Sequence, residues 1–143
     1  MEKPIKHSIA FIVYSPDRSR ILTVQRPADD AELPNLWGLP ATSLKPEESE
    51  EQAVVRAGRE KLGIELRVIE KIADGTMERS SYTLHLADYE AAIVSGEPKC
   101  PQYGPGTQYT AWKWADPKEL IPAAQKGSLC TRLFLEKIGR MVH

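Results

Sequence analysis

The 143 residues predict an α/β fold, on three observations. Runs rich in β-branched and aromatic residues recur along the chain, one long helix with both ends marked stands between them, and two further helix starts follow in the last third. The stretch Trp37 to Ile64 (WGLPATSLKPEESEEQAVVRAGREKLGI) organises the rest: a short strand, an acidic loop, then the helix. Ser49 and Gln52 form a capping box at its start, and Gly63 with Ile64 supplies a left-handed stop and the apolar contact that accompanies it. At about 100° per residue, Val54, Val55, Gly58 and Leu62 are expected on a core face, and Ala53, Ala57, Glu60 and Lys61 on a polar one.

The elements on the N-terminal side read as a hairpin and a loop. His7 to Tyr14 (HSIAFIVY) has the composition of a strand buried on both faces. Ser15 to Arg20 is turn chemistry, with Pro16 fixing φ and Asp17 offering a local hydrogen bond. Ile21 to Gln25 returns as the second arm, ending at Arg26. Pro27 to Leu36 is an irregular loop in which Asp29, Asp30 and Glu32 are expected as solvated charges. Trp37 either packs in the core or stacks on a ligand base, and the large area a tryptophan buries favours the core.

Beyond the helix, Glu65 to Ile72 alternates as a strand, and Asp74 with Gly75 predicts a turn. Ser81 to Val94 is the longest strand signal, with an irregularity expected near Asp88. Tyr82, His85 and Tyr89 on it either line a base pocket or pack within the sheet. Gly96 to Gln108 holds three glycines and three prolines in thirteen residues and is read as a long loop. Tyr109 to Trp114 is a strand; Asp116, Pro117 and Glu119 then cap a short helix running to Ala124. Ser128 caps a last helix with Cys130, Leu133, Phe134, Ile138 and Met141 on one stripe.

Composition narrows the class. A hydrophobic content of 41 % supports one core, so residues 1–143 are read as a single domain. The formal charge of −1 offers no basic field for stable binding to duplex nucleic acid, while a nucleotide-sized ligand remains compatible. No apolar run reaches the roughly 18 residues of a membrane span, and MEKPIKHS is too polar for a signal peptide, so a cytoplasmic protein is expected, with monomer and homodimer both open. Cys100 and Cys130 make no disulfide framework or zinc spacing, and His7, His85 and His143 are scattered.

The sequence Trp37 to Pro40, Glu48, the run Ala53 to Arg56, Glu60, Gly63 and Ile64 resembles the Nudix box, G-x5-E-x7-R-E-U-x-E-E-x-G-U with U aliphatic. The resemblance extends to the strand ending at Arg26 and to the later WADPKEL, and so covers most of the chain. It implies an α/β/α sandwich with a mixed sheet between helices, and a hydrolase that cleaves the pyrophosphate link of a nucleoside diphosphate joined to a group X. The implied cofactor is Mg²⁺ or Mn²⁺, held by carboxylates converging at i, i+3 and i+4.

Between Thr42 and Ile64 the box departs from that pattern. Thr42 replaces its first glycine, Ala57 and Lys61 replace two glutamates, and Gly58 replaces the aliphatic residue. Glu47 stands where the family usually has a glycine, and Gln108 stands nearest a glutamate that serves members as catalytic base. What remains assigns catalysis to Glu60, Arg56 and Glu48, metal binding to Glu60, Glu48 and the displaced Glu47, and substrate contact to Arg26, Lys61, Trp37 and Tyr82. Arg26 and Lys61 each have a plainer alternative, a charge turned to solvent. An active but weakened hydrolase and an inactive nucleotide-binding or sensory module are both consistent with this pattern.

Overall fold

The computed structural model describes residues 3–104 and 108–139. Its strands are β1 (Ile5–Ile12), β2 (Ile21–Gln25), β3 (Trp37–Gly38), β4 (Ala41–Ser43), β5 (Glu65–Glu78), β6 (Thr83–Ser95) and β7 (Ala111–Ala115). The helices are α1 (Glu50–Leu62), a 3₁₀ turn at Pro117–Leu120 leading into α2 (Ile121–Gln125), and α3 (Leu129–Lys137). A mixed sheet, ordered β4-β1-β6-β5 with β1 and β6 parallel, stands beside an antiparallel one, ordered β3-β2-β7. Two apolar clusters separate the layers: α1 packs with Ile9, Phe11, Leu22 and Ala87, and α2 with α3 covers Ala10, Ile12, Ile21 and Leu86. No helix of the described residues is long and apolar enough to cross a membrane.

The helix ends follow the sequence. Ser49 accepts from the Gln52 amide and Gln52 from that of Ser49, while Gly63 sits at φ 65°. Asp116 and Glu119 form the second predicted box. Ser128 occupies the cap position of α3, yet its hydroxyl donates to the Thr131 hydroxyl at 2.9 Å and makes no capping bond. Met141, of the predicted stripe, lies outside the described residues, as does part of the Pro/Gly loop, whose residues from Gly96 to Gly104 have no helix or strand.

Three expectations are corrected. The predicted turn at Asp74 and Gly75 lies inside β5, where Gly75 faces Leu86 of β6; the hairpin closes later, with Arg79 N–H donating to the Tyr82 carbonyl at 2.8 Å. Gly75 serves close packing instead: a Cβ there would come within 3.2 Å of Leu133 on α3. The irregularity sought near Asp88 is real but falls on the partner strand, where the register shifts between Lys71 and Ala73.

The third correction is the phase of α1. Its buried stripe is Ala53, Val54, Ala57, Gly58, Lys61 and Leu62, while Val55 is only half-buried. Gly58 replaces an aliphatic residue because Leu66 already fills the space: a Cβ would meet its side chain at 2.6 Å. The predicted polar face therefore contains two alanines that belong to the core.

Candidate functional site

Arg56 is the centre of what remains of the box. Its Nε and one Nη donate to the two oxygens of Glu48 at 2.8 and 2.9 Å, the other Nη donates to Glu60 at 2.9 Å, and the Ser43 carbonyl accepts at 2.8 Å. The bond from Arg56 holds the Glu48 carboxyl below the usual carboxylate range. Lys45 approaches Glu60 at 3.8 Å from the loop side. The loop keeps the turn expected of a glycine, with Glu47 at φ 65° and its side chain exposed to solvent. Glu48 is then positioned by accepting the Lys45 amide at 2.9 Å.

A divalent ion does not fit this arrangement. Both remaining box carboxylates already neutralise one guanidinium, Ala57 is fully buried without a ligand atom, and an ammonium stands at position 61. Among the described residues no group of three Asp, Glu, His or Cys side chains is placed to hold a metal ion.

The cleft beside Arg56 has a volume of about 1090 Å³, and Arg56, Glu60, Lys61, Arg26 and Tyr82 all line it. Lys61 does not turn outward: it is 7 % exposed, with its Nζ 6.0 Å from the centre of the Tyr109 ring. Burial pulls its ammonium below the usual lysine range; Arg56 and Arg26 act the same way and Glu60 opposes. Arg26 is held by Asp30 at 3.3 Å. Asp30, expected as a solvated charge, instead accepts the Leu33 amide at 2.8 Å and so orders the loop that carries it.

Three predicted site residues stay outside the cleft lining. Glu47 and Glu48 lie on the loop side of Arg56, and the Trp37 ring is covered by Lys113, whose Nζ is 4.4 Å from its centre. The two other tyrosine and histidine candidates of β6 point elsewhere: the Tyr89 hydroxyl donates to Glu50 at 2.6 Å, and the His85 ring lies tilted at 51° against that of His7, with centroids 5.2 Å apart. Gln108 donates its amide to the Gly104 carbonyl at 2.7 Å and offers no basic atom in place of a carboxylate.

Sequence reasoning missed Tyr109 and the start of α3. The Tyr109 hydroxyl is pinned between the N–H and carbonyl of Ala41 at 3.0 and 3.2 Å, joining the strand before α1 to the far wall. Leu129 and Cys130, which share an apolar cluster with Leu84 and Leu86, line the same cleft with them. Residues so far apart in the chain share no local pattern, so no spacing could have grouped them.

A family model described as NUDIX domain matches residues 5–136. The CTP pyrophosphohydrolase of Escherichia coli (strain K12) is 32 % identical over 102 residues, which span 71 % of this chain and 70 % of that protein. The solution structure of the E. coli ORF135 protein superposes with a TM-score of 0.71 at 26 % identity, over 94 % of this chain and 91 % of that one. The MutT protein from Methanosarcina mazei Go1 has the same fold, with a TM-score of 0.71 at 16 % identity over 98 % of this chain and 94 % of that one.

Proposed function

Because the chain belongs to the NUDIX domain family and stands among its pyrophosphohydrolases, we propose that it cleaves the pyrophosphate link of a nucleoside diphosphate joined to a group X. A single observation carries this assignment. One cleft is lined both by cations (Arg26, Arg56 and Lys61) and by apolar side chains (Leu84, Leu86, Leu129 and Cys130), which suits the phosphates and the base of one nucleotide. The relative that hydrolyses CTP makes a pyrimidine nucleoside triphosphate, in which X is phosphate, the first substrate to try.

Nudix hydrolases generally use divalent ions, Mg²⁺ or Mn²⁺ in this proposal, but the box residues here are not arranged to receive one. The chain's own groups act as follows. Arg26 and Lys61 draw the phosphates against α1, and Tyr82 borders the cleft at the β6 end. Glu60 is the box carboxylate that lines the cleft, and in this reading it orients, or takes a proton from, an attacking water. Arg56 and Glu48 are positioning residues that fix Glu60 from behind.

The test is a panel of nucleoside di- and triphosphates, nucleotide sugars and dinucleoside polyphosphates, with released phosphate or pyrophosphate measured. Turnover is expected to be slow and to fall by about a hundredfold or more in Glu60→Gln, as when other preorganised charges are removed. Unchanged turnover in that variant would move the chemistry off α1. A second reading, a nucleotide-binding module without turnover, is favoured by the capture of both glutamates by Arg56 and by the amide of Gln108. Nucleotide binding with no release from any member of the panel would select it.

A further inference from the structure

The cleft wall is built to meet an anion where the family meets a metal. Six lysine and arginine side chains line it against four carboxylates, in a chain whose formal charge is −1. Lys61 follows Glu60 directly on α1, and its shielded stem leads the ammonium past the Tyr109 ring, which the Ala41 backbone fixes in place. Arg26 enters the same cleft from the end of β2, steadied by Asp30. These two cations border the one cleft, and an anion held between them would relieve their mutual repulsion. A metal ion would add to the repulsion, and it would have to displace Arg56 from Glu48 and Glu60.

We propose that Lys61 and Arg26 form a phosphate clamp that works without a divalent ion, the Lys61 ammonium donating hydrogen bonds to the nucleotide's phosphates and supplying the neutralisation a metal would otherwise provide. The clamp rests on the nucleotide-pyrophosphate function proposed above and adds the mode of recognition at that site. A direct ammonium–phosphate contact is a charge-assisted hydrogen bond, and its strength does not depend on a bridging ion.

Calorimetric titration of the whole protein with CTP and with inorganic pyrophosphate, in EDTA and again in Mg²⁺, tests the clamp. Both probes are expected to bind in EDTA, with affinities within about threefold of those in Mg²⁺. Lys61→Met keeps the stem and removes the charge, and should weaken both in EDTA by about tenfold or more, while Lys61→Arg retains binding. Binding that appears only with Mg²⁺ overturns the clamp from the parent protein alone, whether or not Lys61→Met folds. Unchanged affinity in a folded Lys61→Met overturns the assignment to Lys61. If the hydrolysis panel is positive but every probe requires Mg²⁺, the proposed function stands and the clamp falls. If neither probe binds in either condition and nothing in the panel turns over, both fall together.

Discussion

Arg56 makes four hydrogen bonds, three of them to carboxylate oxygens, and this concentration of charge at one side chain decides what its neighbours can do. Two carboxylates on one guanidinium keep a net charge of −1, but three of their oxygens are already engaged as its acceptors, so box residues that match by type are not thereby a metal site. Glu48 is mostly buried, with 12 % of its side chain exposed, and Glu48→Gln replaces the two charged acceptors that Arg56 meets there with one neutral amide oxygen. A loss of about 1.5–3 kcal/mol in unfolding free energy is expected near neutral pH, the range for hydrogen bonds to charged groups. The sign of its pH dependence follows from the lowered pKa. A carboxyl whose folded value lies below the ordinary 4.5 contributes stability above that ordinary value and loses it as pH falls through the folded one. Urea unfolding of parent and variant should therefore show a gap that closes in acid, and a gap that persists there would mean the Arg56 bond is not its source.

At the scale of one element, α1 shows what was legible and what was not. Its two ends were readable because caps are local: Ser49, Gln52 and Gly63 act within a turn of where they stand. Its rotation was misread because Ala53 and Ala57 are too small to declare a side, and because a lysine at 61 looks like a solvent residue until Tyr109, far along the chain, is seen against it. Gly75 misled in the same way, since glycine marks both a turn and a close approach, and only the position of Leu133 distinguishes them. The corrected rotation changes an expectation about repairing the box. Had Ala57 lain on a polar face, Ala57→Glu with Lys61→Glu would have restored ligands at little cost to the core. Ala57 is instead fully buried in the cluster with Ile9 and Phe11. Ala57→Glu should lower stability by roughly 2–4 kcal/mol, the cost of forcing a carboxylate into an occupied apolar site. Thermal unfolding of the single variant checks this; a melting temperature equal to the parent's would show that α1 can rotate or shift to present position 57 to the cleft.

Across the whole molecule, most of the order of strands and helices was readable from composition and turn signals, but the edge strand β4 was read as loop, and the pairing that sets β1 parallel to β6 joins segments too distant for any local pattern to register. That pairing creates the least expected feature of the interior. Asp88 of β6 lies opposite Ala10 and Ala73, wholly buried on the side covered by α3, and neither of its carboxyl oxygens has a hydrogen-bond partner among the described residues. Desolvation raises its pKa well above the ordinary 3.8, and its charge in turn helps to raise that of the Cys130 thiol, which burial raises most. A carboxyl kept neutral in the folded chain favours folding fully below its unfolded pKa; above it the unfolded chain gains by ionising, and stability is lost until the folded carboxyl ionises too. Asp88→Asn removes that ionisation from both states while nearly keeping the shape. The variant should be close to the parent in stability at about pH 4 and should gain on it by up to about 1.4 kcal/mol per pH unit above that, the limit for one proton. Subtracting the two urea-unfolding curves cancels the titrating groups that Asp88 does not touch, and the Cys130 thiol, raised above its ordinary 9.0, stays protonated over the range compared. If parent and variant instead run parallel from about pH 4 to about pH 8, Asp88 ionises alike in both states and its burial in the native chain is not the source of the strain.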